Sequence, residues 1–191
     1  MIRVNQDVCD NETLARLSQA VAVDPARDAI QQLDGAIADH PLDARLYLLR
    51  GATLASIDEH ARARFDLSRA TLLSPSLEAA RFMLGQLEYT LENLAEARAI
   101  WSGFDDEGGA ASAVSSLAMA MVASIDGDLQ AAREHLRFAL DRSPEDSVRA
   151  HIERLLVHLD TGDLAPTHGS ALDERMPHFL VSDYLTSGSQ H

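Results

Sequence analysis

Apolar residues recur along this chain at three- and four-residue intervals, while β-branched clusters with strict alternation are missing. The pattern predicts helices almost throughout, near 11–23, 26–39, 42–56, 59–73, 76–91, 94–102, 110–125, 128–141 and 145–160. Turn-forming residues separate them: Asp24-Pro25, His40-Pro41, Asp58, Ser74-Pro75, Gly108-Gly109, Asp126-Gly127-Asp128, Ser143-Pro144 and Thr161-Gly162. A proline just inside each new helix start is expected, because the first turn's N–H groups have no intrahelical acceptor.

Laid over one another, the helix pairs repeat. Ala29, Ala63, Ala97 and Ala132 are separated by 34, 34 and 35 residues. The same steps relate Leu33, Leu67, Trp101 and Leu136, then Ala36, Ala70, Phe104 and Ala139, and also Leu17, Gly51, Gly85 and Ala120. Pro41 and Pro75 lie 34 apart, and Pro144 lies 69 further on. The additional residue enters around Asp105–Gly109, where a longer loop costs little. Small residues at Gly51, Gly85, Ala63 and Ala97 allow two antiparallel helices to approach, and the Leu33 column fills the neighbouring gap. Each pair buries only part of its apolar face alone, so neighbours must stack.

This pattern resembles the tetratricopeptide repeat, which spans 34 residues with an aromatic, Leu-Gly, Tyr, then Ala-x3-Phe and Pro. Tyr47, Gly51, Ala63, Leu67, Ala70 and Pro75 match one repeat, and Leu84, Gly85, Ala97 and Trp101 match the next, with Gly109 in place of proline. Two weaker repeats, near 10–41 and 111–144, keep Ala and Leu but lack the glycine and the first aromatic. The resemblance implies an all-α fold, a right-handed α-α superhelix of about four helical hairpins plus a C-terminal capping helix. The expected organisation is an N-terminal arm (1–9), hairpins at 10–41, 42–75, 76–109 and 110–144, a capping helix at 145–160, and an extension at 161–191 whose end reads as disordered.

Charge narrows the functional classes. Sixteen basic residues, all arginine, stand against thirty acidic ones, a formal net charge of -14. Nucleic-acid affinity comes mainly from basic side chains neutralising phosphates, so no nucleic-acid partner is expected, and an anionic membrane surface is disfavoured. The absence of lysine removes the P-loop and Schiff-base chemistries. The first ten residues hold no secretory core and no eighteen apolar residues run together, so no membrane span and a cytoplasmic location are expected. The composition suggests a GC-rich bacterial genome.

No constellation nominates a reaction. Cys9 is the single cysteine, and no G-x-S-x-G elbow occurs. His151 and His158 are seven residues apart rather than one turn, so they read as solvated helix histidines and not metal ligands. Glu88 and Glu92, one turn apart, read as a solvated face. Neither a cofactor nor a catalytic residue is expected.

The resemblance places the first helix of each hairpin on a concave inner side. One inner column is Leu14, Leu48, Phe82 and Leu117; Gln86 and Met121 follow one turn later, flanked by Arg45, Leu49, Met83 and Tyr89. Members that grip a C-terminal carboxylate carry Lys, Arg and Asn here, whereas this chain has Leu14, Ser18, Leu49, Ala79 and Met83. The expected partner is therefore another protein, whose peptide or helix enters an apolar groove and meets adaptable methionine and aromatic side chains. Some of the Leu48 column is equally readable as packing between adjacent helices. The segment 176–191, with Phe179, Leu180, Val181, Tyr184 and Leu185, is a candidate for docking on the same surface, and self-association is also open. The leading reading is a non-enzymatic adaptor or scaffold. The alternative is a cytoplasmic chaperone for a secretion-system client, which the size and charge resemble; an enzyme or metal protein ranks third.

Overall fold

The computed structural model describes residues 8–104, 112–142 and 146–161. Among them are nine α-helices and no strand: α1 (Asn11–Val23), α2 (Ala26–Asp39), α3 (Ala44–Ala55), α4 (His60–Leu73), α5 (Glu78–Thr90), α6 (Leu94–Ser102), α7 (Ala113–Ile125), α8 (Leu129–Arg142) and α9 (Asp146–Thr161). The arm 1–7, the loop 105–111, residues 143–145 with Pro144 and the extension beyond 161 lie outside the described residues.

Among the described residues the prolines lie just ahead of helix starts rather than inside them: Pro25 is the N-cap of α2. Pro41 and Pro75 occupy the second position of two equivalent turns, closed by Asp43 N–H to His40 O at 3.1 Å and Leu77 N–H to Ser74 O at 3.0 Å. Helices α3 and α5 consequently begin at 44 and 78, two residues later than the periodicity predicts. Aspartate starts α3 instead: the Asp43 carboxylate accepts from Arg45 N–H at 3.0 Å. Asp10 caps α1 through Thr13 N–H at 2.8 Å, and Ser112 caps α7 through Ser115 N–H at 2.9 Å. Such a cap contributes about 1 kcal/mol.

The turns within hairpins repeat as well. Asp58, Glu92 and Gly127 have φ of 61°, 62° and 78°, a left-handed register 34 and 35 residues apart. Each is followed by a six-to-one hydrogen bond, Glu59 N–H to Leu54 O, Asn93 N–H to Glu88 O and Asp128 N–H to Ala123 O, at 3.0, 2.9 and 2.9 Å. This closure satisfies carbonyls that a helix end leaves open.

The chain forms two compact units, dividing between Met83 and Leu84 within α5. In the first unit α1 packs on α2, α2 on α3, and α3 on α4. A Cβ at Gly51 would lie 2.9 Å from Cγ of Leu67, so the glycine sets how closely α3 approaches α4. Across these helices Arg50 joins two carboxylates. It donates from Nε and Nη2 to Asp66, both at 2.7 Å, and from Nη1 to Asp34 at 2.7 Å. Asp34, Arg50 and Asp66 follow one another at sixteen-residue steps, one on each of α2, α3 and α4. The Asp66 hydrogen bonds, opposed by burial, raise the Arg50 pKa.

In the second unit α6 packs on α7, α7 on α8, and α8 on α9. Trp101 of α6 is fully buried beside Gly85. Arg133 holds α9 against α8 by bonds to Asp160 Oδ1 at 2.9 Å and Leu159 O at 3.0 Å. The core columns at Ala29, Ala63, Ala97 and Ala132, and at Leu33, Leu67, Trp101 and Leu136, are all buried.

Candidate functional site

The helices that the repeat places on the inner side are α1, α3, α5 and α7. In the first unit, Leu14, Leu48 and Phe82 are at most 2% exposed; Leu49 and Met83 are buried as well. In the second, Leu117 and Met121 are also buried. Each of these side chains is thus buried within its own unit, and α3 shows how far the burial extends. Its residues Leu46–Leu49 and Gly51–Leu54 are all buried, so the helix has almost no open side. Arg50 marks the side toward α2 and α4. Leu48 and Ala52 lie two residues to either side of it, roughly 160° around the helix, and are covered too. Helix α1 also touches α3.

Arg45 is tied into contacts within the chain. Its guanidinium donates to Asp43 Oδ1 and Oδ2 at 2.9 and 2.7 Å and to Cys9 O at 2.6 Å, with a longer bond to Asn11 Oδ1 at 3.3 Å. Asp43 accepts from Cys9 N–H at 2.9 Å. The cluster clasps residues 9–11 against the start of α3. Hydrogen bonding to Asp43 raises the Arg45 pKa, and burial pushes the Cys9 thiol up and away from thiolate chemistry. Spacing in the sequence gave no sign of this clasp, because its partners are 34 residues apart and lie outside the apolar columns.

Besides Arg45 in the first unit, the partly exposed members of the expected site are two residues of the second. Gln86 and Tyr89 share α5, and the Tyr89 ring lies 5.9 Å from the Trp101 ring at 43°. Burial raises the Tyr89 phenol pKa. Other expectations change. Glu88 is buried and accepts from Asn93 Nδ2 at 2.8 Å, whereas Glu92 sits in the left-handed turn, so the two do not form one solvated face. His151 is buried with Ile152 and Leu159 rather than solvated, and His158 directs Nδ1 at Arg154 O, 2.8 Å away. Among the described residues, no group of three or more His, Cys, Asp or Glu side chains is placed to hold a metal ion. No described helix is long and apolar enough to cross a membrane.

Solved structures share this architecture. MamA 41-end from Desulfovibrio magneticus RS-1 superposes with a TM-score of 0.57 at 16% identity, covering 95% of this chain and 97% of that one. A MamA RS-1 double mutant gives 0.56 at 16% identity, covering 93% and 97%. MamA is a tetratricopeptide-repeat protein. The fold here is a tetratricopeptide-repeat fold. At this identity the likeness shows the fold alone. No family model and no curated protein sequence matches the chain. The all-α hairpin architecture expected from the 34-residue columns is thus present.

Proposed function

We propose that the protein is a non-enzymatic interaction module whose inner helix face in the first unit accepts an apolar polypeptide segment, in competition with residues 176–191 of the chain itself. The burial of Leu48 and Ala52, on the side of α3 turned away from α2 and α4, carries this reading. The run His178-Phe179-Leu180-Val181-Ser182-Asp183-Tyr184-Leu185 has the composition of such a segment, although it lies outside the described residues. Repeat folds of this kind supply interaction surfaces, which supports a protein as the partner.

The test compares the full chain with a chain ending at Arg175. The shorter chain should bind an environment-sensitive apolar dye more strongly, and a synthetic peptide of residues 176–191, added in trans, should reverse the gain. Equal dye binding by both chains and no competition by the peptide would refute the exchange. A chaperone role uses the same face with a secreted client. Coexpression that keeps such a client soluble, and fails with a groove-blocking 176–191 peptide, distinguishes it from a scaffold.

A further inference from the structure

Two Asp-Gly dipeptides occur in the chain, Asp34-Gly35 and Asp126-Gly127. Such a pair carries a latent reaction. Glycine sets no side chain in front of its own backbone nitrogen, which can therefore reach the carboxyl group of the preceding aspartate. The two pairs share their surroundings. All four residues are exposed, and nothing lies within 4 Å of a Cβ built on either glycine. Each carboxylate is held by an arginine: Asp34 by Arg50 Nη1 at 2.7 Å, and Asp126 by Arg98 Nε and Nη2 at 2.6 and 2.9 Å. The backbones differ. Gly35 lies inside α2, whose hydrogen-bond ladder fixes the peptide between the two residues. Asp126 is the C-cap of α7 with ψ of -6°, and Gly127 has φ of 78° in the turn before α8. Its N–H donates to Ser124 O at 3.2 Å. Exposed turns open locally at far lower cost than helix interiors.

We infer that Asp126-Gly127 is an isomerisation site that Arg98 holds in check. When the ion pair opens and the peptide rotates, Gly127 N attacks Cγ of Asp126. The N–Cγ bond forms, a Cγ–O bond breaks, and the amide proton leaves with the departing hydroxyl as water, closing a succinimide ring. Water then adds to one of the ring carbonyls. Addition at Cγ restores aspartate. Addition at the Asp126 backbone carbonyl breaks its bond to Gly127 N and leaves isoaspartate, with the chain routed through the former side chain and the α-carboxylate free. Water is the sole co-reactant, and nothing is oxidised or reduced. Arg98 opposes ring closure in two ways. Its fork fixes the carboxylate in place, and its hydrogen bonds favour the ionised form, which has no hydroxyl to lose. The product has an additional backbone carbon, so the closure of Asp128 N–H on Ala123 O at 2.9 Å cannot persist and the α7–α8 turn loosens.

The test ages the full chain and its Arg98→Gln variant side by side at neutral pH. Arg98 is 49% exposed, so the variant keeps the fold, which circular dichroism checks. Isoaspartate is read by peptide mapping with mass spectrometry and by methyl transfer from labelled S-adenosylmethionine with an isoaspartyl methyltransferase. It is expected at position 126 in the parent and severalfold faster in Arg98→Gln, with a transient form of the same peptide lacking one water. Asp34 should stay unchanged in both chains. That separates opening of the turn from general unfolding, which would expose the two dipeptides alike. No isoaspartate at 126 in the variant, equal rates in variant and parent, or conversion of Asp34 as fast as Asp126 overturns the inference.

Discussion

A Cβ on Gly85 would lie 2.6 Å from Cε2 and 2.8 Å from Cδ1 of Trp101, so the missing side chain on α5 is what admits the indole of α6. The indole is rigid and fully buried, and it has no flexible end to swing aside. Gly85→Ala should cost about 1–3 kcal/mol through overpacking. The measurement is chemical denaturation followed by Trp101 fluorescence, and an emission shift toward red should accompany the loss. An unchanged midpoint would show that α5 and α6 separate freely.

Arg50 pairs with the buried Asp66 carboxylate at 2.7 Å inside the first unit. Arg50→Met should destabilise by about 3–5 kcal/mol, because Asp66 is left buried and uncompensated. The double change Arg50→Met with Asp66→Leu should recover most of that loss. Thermal denaturation of the two variants beside the parent checks both statements, and a double variant as unstable as the single one would contradict them.

The left-handed turns offer a gain. Gly127 occupies its position without strain, whereas Asp58 and Glu92 hold the same conformation with a Cβ. Glu92→Gly should raise stability by about 1 kcal/mol, the steric cost of the conformation less the added chain freedom of glycine. Gly127→Ala should do the reverse. Denaturant midpoints of the pair are the readout.

Arg98 and Asp126 tie α6 to the end of α7 by bonds of 2.6 and 2.9 Å. Hydrogen bonding to Arg98 lowers the Asp126 pKa below the ordinary carboxylate value. A lowered folded-state pKa contributes stability above the unfolded value that is lost as pH falls through the folded one. The variant Arg98→Gln should therefore differ from the parent near neutrality and converge with it in acid. The Asp126 carboxyl titration, followed by NMR, should move upward in the variant; no movement would show the pair to be ornamental.

The 34-residue columns were enough for the helices, their pairing and the buried Ala, Leu and Trp positions, because these depend on local periodicity and on which side chains prefer to leave water. The turns were partly legible: Gly127 signals its left-handed φ, while Asp58 and Glu92 conceal the same backbone behind ordinary acidic residues. The openness of the inner face was not legible. Leu48 is apolar whether it lines a trough or fills an interior, and only the neighbours brought to it by folding decide which. The same holds for charge. Arg45 and Arg50 look like surface residues in a list, yet tertiary contacts commit them to Asp43, Cys9, Asp34 and Asp66. Sequence alone determined the repeating unit, since its period is a property of the chain. Tertiary structure decided which faces remain available, since exposure is a property of what packs alongside.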